Sequence, residues 1–92
     1  MSGYILIDAP TLDLTKGSTE QSISGIYARV QAAMKTNKPI FVENAKWGTG
    51  NVMTPIQVMC QQEDATTVVA TASTLQIWIT SADKVTIVNL VA

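Results

Sequence analysis

By residue type, seven carboxylates and one thiol in this 92-residue chain could carry out acid–base or nucleophilic chemistry: Asp8, Asp13, Glu20, Glu43, Glu63, Asp64, Asp83 and Cys60. The carboxylates fall in no recognisable pairing for general acid–base work, and a chain this short has little volume for a substrate pocket. Cys60 has no histidine to activate it, because the chain contains none. It closes the apolar run Ile56-Gln57-Val58-Met59-Cys60 and reads as a small buried hydrophobe. One cysteine without histidine cannot assemble a zinc site. Glu63-Asp64 lacks the alternating acidic pattern of a calcium loop and reads as a solvated turn. Trp47-Gly48-Thr49-Gly50-Asn51 has a Gly-x-Gly but no third glycine. It opens a strand rather than a helix, so it reads as a hairpin tip and not a phosphate cradle. The expectation is a non-enzymatic chain with no catalytic, metal or cofactor-binding residues.

Contact chemistry is better represented. Trp47 and Trp78 are the two large aromatics, and tryptophan is favoured at interface hot spots. Trp78 admits three readings: a subunit contact, a core residue on a two-faced sheet, or a stacking platform for a sugar. Trp47, beside a turn, is expected to be exposed. Tyr27 belongs to an apolar helical stripe, and Arg29 faces away from it towards solvent.

Hydrophobic residues make up 47% of the chain and charged residues 14%, against about 25% charged in an average domain. A domain this small buries only about 60–65% of its unfolded surface, so its interior is limited. The excess apolar character points to a surface buried between subunits. Net charge is −1 and the six basic residues are scattered. The clustered basic footprint expected for nucleic acid or anionic membrane is missing. The start, Met1-Ser2-Gly3-Tyr4-Ile5-Leu6-Ile7-Asp8, has neither the basic region of a signal peptide nor a myristoylation site. No apolar stretch approaches a membrane span. A lone cysteine fits synthesis in a reducing cytosol.

Residues 22–36 carry apolar side chains at Ile23, Ile26, Tyr27, Val30 and Met34, the spacing of one helical face. The helix is expected over 23–36. Ser18 with Gln21 offers a capping box, and Ser22 or Ser24 a simpler cap. Asn37 is the expected left-handed end, and Pro39 prevents continuation. Short strands follow: 39–43, 52–60 interrupted by Pro55, 66–72, 75–80 and 85–91, with polar turns at 61–64 and 81–84. Earlier, Tyr4–Ile7 and Leu12–Leu14 read as short strands or an arm. The predicted class is α+β, one amphipathic helix packed on an antiparallel β-meander or small sandwich of five to six strands. Residues 1–20 form an N-terminal arm or short strands, and residues 21–92 the single-domain core. Leu75, Ile77 and Ile79 point to one face, and Gln76, Trp78 and Thr80 to the other. The last strand becomes apolar on both faces near its end, through Val88 and Leu90. One helix can cover only one face of such a sheet.

From Gly25 onward the chain resembles a module of tailed-phage virion proteins, including head-fibre and capsid decoration proteins. The resembling residues are the helix from Gly25 to Met34, its exit Thr36-Asn37-Lys38-Pro39, and Ile40-Phe41-Val42. Met53-Thr54-Pro55-Ile56, Leu75-Gln76-Ile77-Trp78-Ile79-Thr80 and Lys84-Val85-Thr86-Ile87 complete the likeness. The resemblance implies a structural protein of the virion surface, made in the host cytoplasm, without cofactor, acting as a homo-oligomer, commonly a trimer. A capsid protein held through the N-terminal arm is a further implied partner. Trp47, Trp78, Val88 and Leu90 are the expected interface residues. The alternative is a small carbohydrate- or cell-surface-binding β-module using Trp47 or Trp78.

Overall fold

The β-branched runs in the second half of the chain pair with their sequence neighbours, and the helix packs against the face they share. A computed structural model describes residues 3–14, 19–47, 51–52, 55–72 and 74–90, with the backbone alone for 47, 51 and 52. Its strands are Ile5–Asp8 (β1), Glu20–Ser22 (β2), Ile40–Glu43 (β3), Lys46–Trp47 (β4), Asn51–Val52 (β5), Ile56–Asp64 (β6), Thr67–Thr71 (β7), Leu75–Thr80 (β8) and Lys84–Asn89 (β9). The helix is Ile26–Met34 (α1). Among the described residues seven strands form one sheet in the order β1-β3-β6-β7-β8-β9-β2, and β4 pairs with β5 as a separate hairpin. The chain is therefore α+β, with one helix against a curled mixed sheet.

Several expectations need correction. The sheet has seven strands rather than five to six, and it is not wholly antiparallel. β1 runs parallel to β3, with Ile5 beside Ile40 and Asp8 beside Glu43. Parallel neighbours need a long connection, which the segment containing β2 and α1 supplies. Residues 20–22, read as the approach to the helix, are a strand antiparallel to β9. Their extended backbone rules out the Ser18–Gln21 capping box, and Ser18 itself lies outside the described residues. Residues 1–20 were expected as arm or short strands. β1 and β2 are strands, Asp13 bridges Lys46, and Ile7, Ala9, Leu12 and Leu14 are buried in the core.

The helix starts three residues later than its apolar pattern. Gly25 occupies the N-cap with φ +75°, a left-handed conformation that glycine adopts without a Cβ penalty. Ile23 is buried, but in the turn before the helix. The exit follows expectation: Asn37 has φ +56° and Lys38-Pro39 leads into β3. The polar segment 61–64 is strand, not turn. β6 runs on to Asp64, with a register irregularity between Gln62 and Asp64. The turn falls one step later because Oδ1 of Asp64 accepts from both the N–H (2.7 Å) and the hydroxyl (2.9 Å) of Thr66. Pro55 sits immediately before β6, where no ladder donor is needed, so β6 can lie inside the sheet rather than at its edge.

The core gathers on the helix side of the sheet. Val58, Val68, Ala70, Leu75, Ile77, Ile79, Val85 and Ile87 meet Ile26, Val30 and Ala33 of α1. Residues 12–14 join the β2 edge of the sheet to the separate β4 hairpin. Gln21 of β2 donates from Nε2 to the Asp13 carbonyl, and its Oε1 accepts the Asp13 N–H, both at 2.8 Å. The neighbouring backbone meets the other side, with Leu14 N–H on the Lys46 carbonyl and Lys46 N–H on the Leu12 carbonyl.

Candidate functional site

Chemistry-bearing side chains are dispersed or used locally. Asp8 accepts from Asn44 Nδ2 at 2.6 Å. Asp83 stands in the β8–β9 turn with φ +61°, and its carboxylate takes the N–H groups of Gly25 (2.8 Å) and Tyr27 (3.1 Å) at the start of α1. This caps a helix whose own N-cap residue has no side chain to do so. The hydrogen bonds from Thr66 hold the exposed Asp64 carboxyl below its usual range. Burial pushes the Cys60 thiol up, from 9.0 to about 11. Among the described residues no group of three or more histidine, cysteine, aspartate or glutamate side chains gathers as a metal site. The enclosed cavity beneath the helix is about 20 Å³, lined only by apolar and cysteine side chains such as Ile26, Val30, Cys60 and Ile77. That is room for about one water molecule, in a lining that gives it no partners.

Tyr27 and Arg29 both take on structural ties. The Tyr27 hydroxyl donates to the Ala65 carbonyl and accepts from Gln31 Nε2, each at 2.8 Å, fastening the helix to the β6–β7 turn. Arg29 is exposed, as expected, and its guanidinium also reaches backbone carbonyls nearby. Its Nη1 donates to the Asp8 carbonyl at 2.7 Å, and Nε reaches the Gly25 carbonyl at 3.4 Å.

The largest unassigned feature is the sheet face opposite the helix. Cross-strand register aligns its side chains into rows. One row runs Met59, Thr71, Gln76, Val88. The next runs Gln61, Val69, Trp78, Thr86 and ends at Glu20 of β2. At the β1 end lie Leu6, Phe41 and Gln57, with the Tyr4 and Phe41 rings edge-to-face at 5.5 Å. Among the described residues charge appears on this face only at its rim, at Asp8, Glu43, Glu63, Lys84 and Glu20. Met59 is 78% exposed and Tyr4 60%. Val69 is 2% exposed although it lies outside the core cluster, flanked across the strands by Trp78 and Gln61.

Trp78 and Val88 fall on this face, and Leu90 follows directly after β9. Trp78 and Val88 are half-buried and Leu90 is exposed. The indole N–H of Trp78 donates to Gln76 Oε1 at 3.1 Å, which fixes the ring edge on this face. The backbone of Trp47 lies in β4, away from these rows, and its side chain lies outside the described residues, as do Gly48, Thr49 and Gly50. Sequence reasoning singled out Trp78, Val88 and Leu90 but missed Met59, Thr71 and Phe41. Their alternation in β3, β6 and β7 was the available signal. No family model, curated protein or solved structure matches the chain.

Proposed function

We propose that this protein is a non-enzymatic structural component of a phage virion, of the capsid-decoration or head-fibre kind, which works by docking and assembles with copies of itself. The observation that carries the docking is the outer sheet face, uncharged across its central rows and charged only at its rim. That is the anatomy of an interface, an uncharged centre ringed by polar residues. The likeness of residues 25–87 to virion modules supplies the setting, the particle surface, and the trimer as the expected state.

Thr71→Lys with Val88→Lys tests the face. Both residues lie in the same row, two strands apart, and neither is in the core. In a self-contact the added like charges meet uncharged surface or one another, at a cost of several kcal/mol. Sedimentation equilibrium is expected to show the wild type as an oligomer and the double variant as a smaller species with an unchanged circular dichroism spectrum. A wild-type monomer, or a double variant of unaltered mass, overturns the reading.

A further inference from the structure

The sheet has two edges, and they are finished differently. At the β2 edge the strand is three residues long, carries Glu20, and spends its central side chain, Gln21, on the Asp13 backbone. Short length and charge are the usual ways to protect an edge from another strand. The β1 edge is also short, at four residues, but its one charge, Asp8, lies at its end, and Tyr4 to Ile7 are uncharged. Ile5 N–H donates to the Pro39 carbonyl and Ala9 N–H to the Glu43 carbonyl, so the odd-numbered residues turn their backbone groups towards β3. In an extended strand the even-numbered residues then turn theirs outward. Leu6 and Asp8 N–H and the Tyr4 and Leu6 carbonyls face the open edge. Among the described residues the Asp8 carbonyl alone is occupied, by Arg29 reaching over from α1. Beside the edge runs a groove of about 390 Å³, floored by the small helix residues Ala32 and Ala33 and closed by Thr36 and Arg29.

We infer that a second copy of this chain occupies this edge, its β1 antiparallel to the first about a two-fold axis through Leu6. The side chains support this self-pairing in one register. Leu6 meets the partner's Leu6 on the outer face, and Ile5 meets the partner's Ile7 on the core side. Tyr4 meets the partner's Asp8, an aromatic hydroxyl donor beside a carboxylate. No like charges stand opposite one another, as cross-strand pairing requires. The two Leu6 residues exchange hydrogen bonds, and each Asp8 N–H reaches the other copy's Tyr4 carbonyl, leaving the Asp8 carbonyl to Arg29. The pairing also covers Tyr4 (60% exposed) and Leu6 (42% exposed), and brings the two helices together across alanines that leave them room.

This edge contact is separate from docking through the outer face, and the two fail independently. Leu6→Pro removes only an N–H that faces the open edge, so the bonds to β3 survive. Leu6→Ala keeps that N–H. Ala32→Arg fills the groove without touching the strand. In sedimentation equilibrium of the full chain, Leu6→Pro and Ala32→Arg are expected to lower the wild-type mass to that of the species the outer face alone holds together, while Leu6→Ala keeps it. The Thr71→Lys, Val88→Lys pair tests the face without altering the edge. Should Leu6→Pro fail to fold, amide exchange on the wild type serves instead. The Leu6 and Asp8 amides are expected to gain protection as protein concentration rises. The inference is overturned by a monomeric wild type, by Leu6→Pro of wild-type mass, by equal losses in Leu6→Pro and Leu6→Ala, or by concentration-independent exchange at Leu6.

Discussion

Asp83 does two jobs from one turn. Its backbone is left-handed, which aspartate tolerates better than most residues, and its carboxylate caps a helix 56–58 residues earlier in the chain. Asp83→Ala is expected to lower stability by about 1–2 kcal/mol in urea denaturation, the usual cost of a lost cap. Asp83→Asn should lose less, since one side-chain acceptor and tolerance of the left-handed turn remain. Cys60 yields a pH-dependent prediction. Its thiol titrates at about 11 because burial disfavours the thiolate. A raised value means that the folded state favours the neutral thiol. Its contribution to stability is intact below the ordinary value near 9 and is lost as pH climbs towards 11. Reaction with a disulfide reagent at pH 8 should therefore run about tenfold slower than for an exposed thiol, accelerating on denaturation. A fast reaction in native buffer would count against the half-buried placement of Cys60 under the helix.

At the scale of elements, one side chain stands in for a missing strand. Gln21 presents its amide to Asp13 as a backbone would, so β2 is joined to residues 12–14 and through them to Lys46. Gln21→Ala removes both hydrogen bonds and is expected to cost about 1–3 kcal/mol. Gln21→Glu should cost more, because a carboxylate oxygen would then face the Asp13 carbonyl. Thermal unfolding of the two variants checks the order, and equal melting temperatures would show that the clamp contributes little. The helix was legible from its apolar spacing, as were β8 and β9 from strict alternation. β2 was not, because Glu-Gln-Ser carries no strand pattern and pairs only because β9 offers an edge. The end of β6 was missed for a related reason: Gln61 to Asp64 are polar on both faces, yet β7 holds them in the ladder.

For the whole molecule, the sheet curls around one helix, and among the described residues no second element packs on its other face. If copies cover that face, the melting temperature rises with protein concentration, because association draws on the folded state. The Thr71→Lys, Val88→Lys variant should lose that dependence. Scanning calorimetry over a wide concentration range gives the slope, and a flat wild-type slope would count against the docking reading. The candidate face was partly legible. Trp78, Val88 and Leu90 were visible because alternation in β8 and β9 is strong. Met59 and Phe41 became neighbours of that surface only once strand order was known.

The sequence by itself determined the α+β class, the helix with its Asn37–Pro39 exit, and which faces of β8 and β9 turn inward. Those are local properties, written in periods of 3.6 and 2. Tertiary structure decided the parallel pairing of β1 with β3, the Asp83 cap, the Gln21 clamp and the open β1 edge. Each depends on which distant segments meet, and hydrophobic pattern sets the face a strand buries but not the neighbour it takes.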